Sequence, residues 1–237
     1  VGIHVPFDLE FVEKHMQFVE DLKTYFDVSL IFLIFVSKEE EKNFYSDKAK
    51  FINVKNWGGP IGLLDQMIEM EEPLGDFIMI TEADVFILSK DHFKNITKIL
   101  TDNPVLAYLG HVYSDPHMYK KVESKCGDNI FVKYAESMSE YNLGSCYFTD
   151  GGYHVFRREN LLLAKEKLGV LPGFIDRKNR DVPLEKDSDI DFRERKKRII
   201  YHEVGFPSRM HFHGFKFAGI INHDVVSRAA RAVPSPR

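Results

Sequence analysis

Residues Gly75 to Leu88 read GDFIMITEADVFIL. The apolar run Phe77-Ile78-Met79-Ile80 breaks after Thr81 into Glu82-Ala83-Asp84, then resumes as Val85-Phe86-Ile87-Leu88. A short apolar run opened by Gly75-Asp76 has the length of a buried strand. Carboxylates delivered by such a strand are costly to bury unless a cation or another partner matches them. The reading of the whole chain turns on what surrounds this strand end.

Upstream, strands and helices alternate. VGIHV opens with β-forming residues and stops at Pro6. Asp8 then caps a predicted helix to about Phe26, with Phe11, Val12, Met16, Val19, Leu22 and Phe26 on one face. VSLIFLIFV is a continuous apolar run, the pattern of a strand buried on both faces of a parallel sheet. The charged SKEEEKNF separates it from a further strand, AKFINV, which ends in KNWGGP. Pro60 is suited to the first turn of the helix IGLLDQMIEMEE. Strand, helix, strand, helix, strand predicts an α/β fold: a doubly wound, mainly parallel sheet with helices on both faces. Ligands of such sheets bind beyond the carboxyl ends of the strands. The segments HVPFD, FVSKE, VKNWGG and ITEAD all fall there.

Composition narrows the function classes. The 237 residues, 44% of them hydrophobic and 20 of them Phe, are enough for one large domain with a sizeable core. A formal charge of −4 argues against a general nucleic-acid binder. Cys126 and Cys146 are too few for a disulfide framework and match no zinc spacing. No run reaches the length of a membrane span, and no targeting segment is visible, so a cytoplasmic location is expected. The sequon Asn95-Ile96-Thr97 arises easily by chance.

The second half is less regular. NPVLAYLGHVYS and CYFTDGGYHVFRRENLLLAKEKLG read as strand, turn and helix, with Gly151-Gly152 as the breaker. KNRDVPLEKDSDIDFRERKKR is highly charged and opens a helix, and RMHFHGFKFAG follows as a loop or edge strand. The expected organisation is one domain over 1–225, with a nucleotide-type half over 1–100 and an acceptor-type half over 101–225. Residues 226–237 form a loose basic tail.

Four groups of residues carry chemistry. Glu82 and Asp84 can hold a hard divalent cation through oxygen ligands, or can be ordinary solvated turn acids. Asp187, Asp189 and Asp191 alternate, so mutual repulsion can raise one pKa and create a general base. The plainer account is a helix start, where acids meet the positive end of the dipole. His211-Phe212-His213-Gly214 with Lys216 combines metal-ligating imidazoles, a glycine allowing close backbone approach and a point charge for phosphate. Asp150-Gly151-Gly152 offers an acceptor for sugar hydroxyls on a permissive backbone, or a plain tight turn.

In this order the groups resemble the glycosyltransferases of the GT-A fold, chiefly the large family-2 type. FIMITEAD stands for that family's Asp-x-Asp after an apolar strand, and DGGYHVFRRENLLLA for its glycine segment and Arg-Arg/Lys-Glu helix. SDIDFRER, Ser188 to Arg195, stands for its Glu-Asp-x-Asp-Leu-x-x-Arg box, and RMHFHG for its downstream histidine. The likeness runs from Val1 to about Gly219, with Glu82 replacing an aspartate and Ser188 a glutamate. HFHGFK is also similar to the histidine-glycine-lysine tail of the retaining family-8 enzymes, without their Pro-Trp ending.

The resemblance implies a nucleotide-diphosphate sugar as donor, a carbohydrate or glycoconjugate as acceptor, and Mn2+ or Mg2+ as cofactor. Asp84 would lead the metal ligands, with Glu82 and one of His211 or His213 helping. Donor contacts would come from Val5, Phe7, Ser37, Asn56, Thr81, Glu82, Ala83 and Lys216, and sugar or acceptor contacts from Asp150, Gly151 and Gly152. Asp189 would be the base of an inverting transfer, supported by Asp187 and Asp191. The alternatives are a retaining transferase of the same fold, a catalytically decayed glycan-binding domain, and a sugar nucleotidyltransferase. The last should carry an early Gly-rich basic loop, which VGIHVPFDLE lacks.

Overall fold

The computed structural model describes residues 2–3, 9–35, 47–54, 58–70, 73–81, 85–87, 90–111, 143–144, 153–175, 180–184, 205–220 and 225–227. It is a mixed α/β fold in which sheets lie between helices.

The front half follows the sequence pattern. Strands β1 (Gly2–Ile3), β2 (Ile31–Phe35) and β3 (Lys50–Val54) form a parallel sheet in the order β1-β2-β3. Parallel neighbours need a crossover, which helix α1 (Leu9–Leu22) supplies between β1 and β2. Val12 and Val19 of α1 pack with Leu30 and Phe32, and Phe32 stacks on Phe51 with ring centroids 5.0 Å apart. The helix ends four residues before Phe26, whose ring packs edge-on against Phe93 instead.

Helix α2 (Gly59–Glu69) carries Pro60 in its first turn, as its fixed φ favours. Next come β4 (Phe77–Thr81), β5 (Val85–Ile87), and helix α3 (Lys90–Asp102), which the strand-helix reading did not include. The sequon lies inside α3, with Asn95 exposed and Thr97 buried. Strands β6 (Leu106–His111) and β7 (Leu143–Gly144) follow. Gly151-Gly152 is then followed by a further strand, β8 (Tyr153–Arg157), before helix α4 (Arg158–Leu168) begins. Tyr-His-Val-Phe suits a strand, and all four side chains are buried.

The main sheet has the order β4-β8-β6-β11-β7, where β11 is Lys216–Ile220. β8 runs antiparallel to both β4 and β6, so those two point the same way, and β11 runs parallel to β6. Alternation along β4 sends Ile78 and Ile80 to one face, where they meet α2, α4 and helix α5 (Phe206–Phe212). Phe77 and Met79 go to the other face, beside α1 and α3. Buried Asp65 of α2 accepts hydrogen bonds from Lys165 Nζ of α4 and from the Leu171 amide, both at 2.8 Å. That pair ties two helices on the same face together.

Two expectations are corrected. RMHFHGFKFAG is neither loop nor edge strand: it ends helix α5 and then forms β11, inside the main sheet between β6 and β7. Phe206, Met210, Phe215 and Phe217 join the main core, and that burial outweighs the polar look of the segment. The tail also starts later than residue 226, because β12 (Val225–Ser227) pairs antiparallel with β5. A small two-stranded unit, β9 (Gly173–Ile175) with β10 (Asp181–Pro183), opens the charged stretch read as a helix start. Among the described residues no helix is long and apolar enough to cross a membrane.

Candidate functional site

The register between β4 and β8 sets the site's frame. Thr81, the last residue of β4, pairs with Tyr153, the first of β8. Glu82-Ala83-Asp84 follows Thr81 directly, and Asp150-Gly151-Gly152 directly precedes Tyr153. Both motifs are therefore attached to one paired end of the sheet, although the six residues themselves lie outside the described set. Beneath that end, the Tyr153 hydroxyl meets His92 Nε2 of α3 at 3.1 Å, with both side chains buried. Burial pushes the Tyr153 phenol far above its ordinary pKa, so it stays neutral. Thr81 is itself buried. The strand thus ends on a packed floor.

The carboxyl ends of β4, β6 and β11 share this side of the sheet, because the three strands run the same way. The carboxyl ends of β1, β2 and β3 likewise lie together, since those strands are parallel and in register. Val5, Phe7, Ser37 and Asn56 each follow one of these three ends within four residues; all four fall outside the described residues. Asp187, Asp189 and Asp191 also fall outside them, between Leu184 and Gly205.

His211, His213 and Lys216 are described, and they lie elsewhere. Lys216 opens β11 opposite Leu106, at the sheet end where Phe77 and Arg157 pair. Along a five-residue strand that is roughly 14 Å from the Thr81 end, with three further strand spacings of about 4.8 Å across the sheet. The arrangement does not bring the histidine turn together with the strand end that leads to Glu82 and Asp84.

The turn has its own organisation. His213 caps α5, the Gly214 amide donates to His211 O at 2.9 Å, and the Phe215 amide donates to Met210 O at 2.9 Å. This is a Schellman closure, and Gly214 sits at φ +84°, where a side chain would be strained. The sequence expectation gave that glycine to close ligand approach; the backbone angle of a helix end accounts for it instead. His213 Nε2 lies 2.8 Å from Asp181 Oδ2, and a carboxylate only accepts, so the imidazole donates.

Arg209, fully buried, donates to both oxygens of Asp181 and to the carbonyls of Leu168, Val170, Leu171 and Pro172. Its side chain passes so close to Gly173 that a Cβ there would sit 2.8 Å from Arg209 Cδ. Burial opposes ionisation of Asp181, but the bonds from Arg209 and His213 outweigh it and hold the carboxyl below its usual 3.8.

Burial lowers the pKa of His211 from its usual 6.5, so the ring is neutral at neutral pH. Stability from neutral His211 is complete above the unfolded value of 6.5 and is lost as pH falls through the folded value. Urea unfolding at a series of pH values below 6.5 should show a shallower decline for His211→Gln than for the native chain.

Asp181, Arg209 and His92 were not singled out in the sequence, since a lone Arg or His among apolar residues gives no periodic signal. Asn222-His223-Asp224 was also passed over. It follows the apolar run Phe217 to Ile221 just as Glu82-Ala83-Asp84 follows Phe77 to Ile80. It links the carboxyl end of β11 to β12, from the side of the sheet that Thr81 shares, and is itself outside the described residues. Among the described residues no three His, Cys, Asp or Glu side chains converge on a cation position.

No protein-family model matches this chain, and no curated protein matches it. Among solved structures it is similar to the mannosyltransferase PcManGT from Pyrobaculum calidifontis, in complex with GDP-Man and Mn2+. The identity is 13% and the TM-score 0.45, over 90% of this chain and 67% of that one. It is also similar to a mutant Drosophila β-1,4-galactosyltransferase 7 in complex with manganese, UDP-Gal and xylobiose. There the identity is 14% and the TM-score 0.41, over 100% of this chain and 74% of that one.

Proposed function

We propose that this chain is a glycosyltransferase that moves a sugar from a nucleotide-diphosphate donor to a hydroxyl of a carbohydrate or glycoconjugate acceptor. The observation that carries the reading is the Thr81–Tyr153 register, which gives the acidic triplet and Asp150-Gly151-Gly152 a common point of departure. That point is the carboxyl end of β4, a side of the sheet that β6 and β11 share, and α/β sheets bind ligands beyond the carboxyl ends of their strands.

The donor's base and ribose lie against Val5, Phe7, Ser37 and Asn56, beyond the ends of β1 to β3, with Thr81 to Ala83 completing the contact. Asp150, Gly151 and Gly152 face the transferred sugar and acceptor. Asp84 and Glu82 are hard oxygen donors, which fit Mn2+ or Mg2+, and the buried floor under Thr81 fixes where their strand ends. When bound, such an ion neutralises the leaving diphosphate. His211, His213 and Lys216 are left out of the ligand set because their turn belongs to the other end of the sheet.

Asp189 takes the proton of the acceptor hydroxyl as its oxygen bonds to the anomeric carbon and the bond to the diphosphate breaks on the opposite face. The product has the inverted configuration, and the nucleoside diphosphate leaves. Asp187 and Asp191 support that carboxylate. Glu82 and Ser188 stand where the family pattern has other acids, which favours a decayed glycan-binding domain as the second reading.

A panel of nucleotide sugars, with and without Mn2+, separates the two: transfer or donor hydrolysis supports the enzyme, and glycan binding without turnover supports the decayed domain. Asp84→Ala should weaken Mn2+-dependent nucleotide binding at least about tenfold, since even outer-shell losses cost that much. Calorimetric titration of nucleoside diphosphate with and without Mn2+ measures it, and unchanged affinity rejects the ligand assignment.

A further inference from the structure

Helix α4 buries Leu161, Ala164 and Leu168 and turns Leu162 and Leu163 outward, 43% and 39% exposed. Two further exposed apolar side chains flank it. On one side Lys165 bonds Glu69 at 2.8 Å, which brings Met70 alongside; on the other Asn160 Nδ2 donates to Leu106 O at 3.3 Å, which brings Val105 alongside. Exposed apolar residues scattered singly are ordinary, but a group of them rimmed by charge marks a contact surface.

The charges around the two leucines are placed symmetrically along the helix. Outward from Leu162-Leu163 an acid comes first on each side, Glu159 and Glu166, and then a base, Arg158 and Lys167. All four are exposed. Arg158 and Glu159 also pair within the chain, with Asp76 and Arg157, yet at 46% and 66% exposure they stay open to a further partner.

Such a face complements a second copy of itself laid antiparallel. A two-fold axis between Leu162 and Leu163 brings the leucines of both copies together at the centre. At each end, Arg158 and Glu159 of one copy then meet Glu166 and Lys167 of the other, two acids with two bases. Packed parallel, each charge would face its own like, which costs affinity. Two-fold contacts of this self-complementary kind are the commonest in soluble oligomers. We propose that α4 is the contact face of a homodimer, two copies of this chain packing antiparallel about Leu162 and Leu163. The helix begins after Arg157, which pairs with Phe77 at the sheet end away from Thr81 and Tyr153. The pairing therefore leaves the proposed donor site open, and it does not rest on sugar transfer.

Sedimentation of the full chain from about 1 to 100 μM, where a modest interface associates, should show monomer passing to dimer. Leu162→Glu should weaken the dimer at least about thirtyfold, the scale of a central interface residue. Its far-UV circular dichroism should stay native, because the side chain is exposed. Glu166→Lys and Arg158→Glu should each weaken it as well, since each leaves three like charges of four at both ends. Mixed in equal amounts, those two variants should form a heterodimer, because each end again holds two acids and two bases. Should Leu162→Glu fail to fold, the charge variants and their mixture still decide the matter.

A native chain that stays monomeric at about 100 μM overturns the proposal, whether α4 then binds lipid vesicles or nothing. So does a dimer that neither Leu162→Glu nor Glu166→Lys weakens, which would use another face. A mixture of the two charge variants that stays monomeric overturns the antiparallel packing.

Discussion

Under the proposed inverting transfer, with Asp189 as its base, Asp189→Asn should lower turnover by about a hundredfold to ten-thousandfold, the usual cost of losing a general base. Inverting transfer needs a carboxylate on the face of the sugar away from the departing diphosphate, within hydrogen-bond reach of the acceptor hydroxyl. In the sequence Asp189 lies between Asp187 and Asp191 and before the basic run Arg193 to Arg198. Asparagine keeps the shape and the hydrogen-bonding capacity but cannot take the proton. Donor affinity should therefore stay close to native while kcat falls, and Asp187→Asn should do less. Steady-state kinetics with product anomer analysis reads both points. Near-native turnover, or a product that retains the donor's configuration, would reject the inverting assignment and favour the retaining alternative.

The largest effect on stability is expected at Arg209. Arg209→Leu should cost about 3–5 kcal/mol, the scale of breaking a buried ion pair by removing one partner. The guanidinium fork serves Asp181 and four carbonyls, so the leucine variant strands a carboxylate and leaves those carbonyls without this donor. Lysine is no substitute, because one ammonium cannot span the same acceptors in a plane. Urea unfolding should show the loss as a lower midpoint with unchanged slope, and thermal unfolding as a fall on the order of 10 °C. The double variant with Asp181→Leu should be no worse than Arg209→Leu alone, because the stranded charge is gone. If the two losses add, the residues are not coupled and the network is wrongly drawn.

Arg209 lies in the described region that the sequence read least well, for identifiable reasons. Alternation and capping are local signals. VSLIFLIFV, AKFINV and FIMIT could be read as strands, and Pro60 as a helix opener, because each pattern is written in neighbouring residues and matches its surroundings in the fold. YHVFR was drawn into the helix that follows it, since a strand running straight into a helix leaves no turn signal between them. RMHFHGFKFAG looked polar because its apolar residues are shared between a helix end and an interior strand.

The sequence alone determined the α/β class, the parallel front half, and the rule that charged groups stand at the ends of apolar strands. Those follow from the periodicity of side chains and the cost of burying charge, which need no knowledge of distant neighbours. Tertiary structure alone decided which strand ends meet. Thr81 faces Tyr153 across 72 positions of sequence, and the histidine turn enters β11 from the opposite side. It also gave Asp181 to Arg209 and His213, because a hydrogen bond between residues some thirty positions apart leaves no trace in the order of the chain. Direction and register in a mixed sheet come from how whole faces pack, and that is information no short stretch contains.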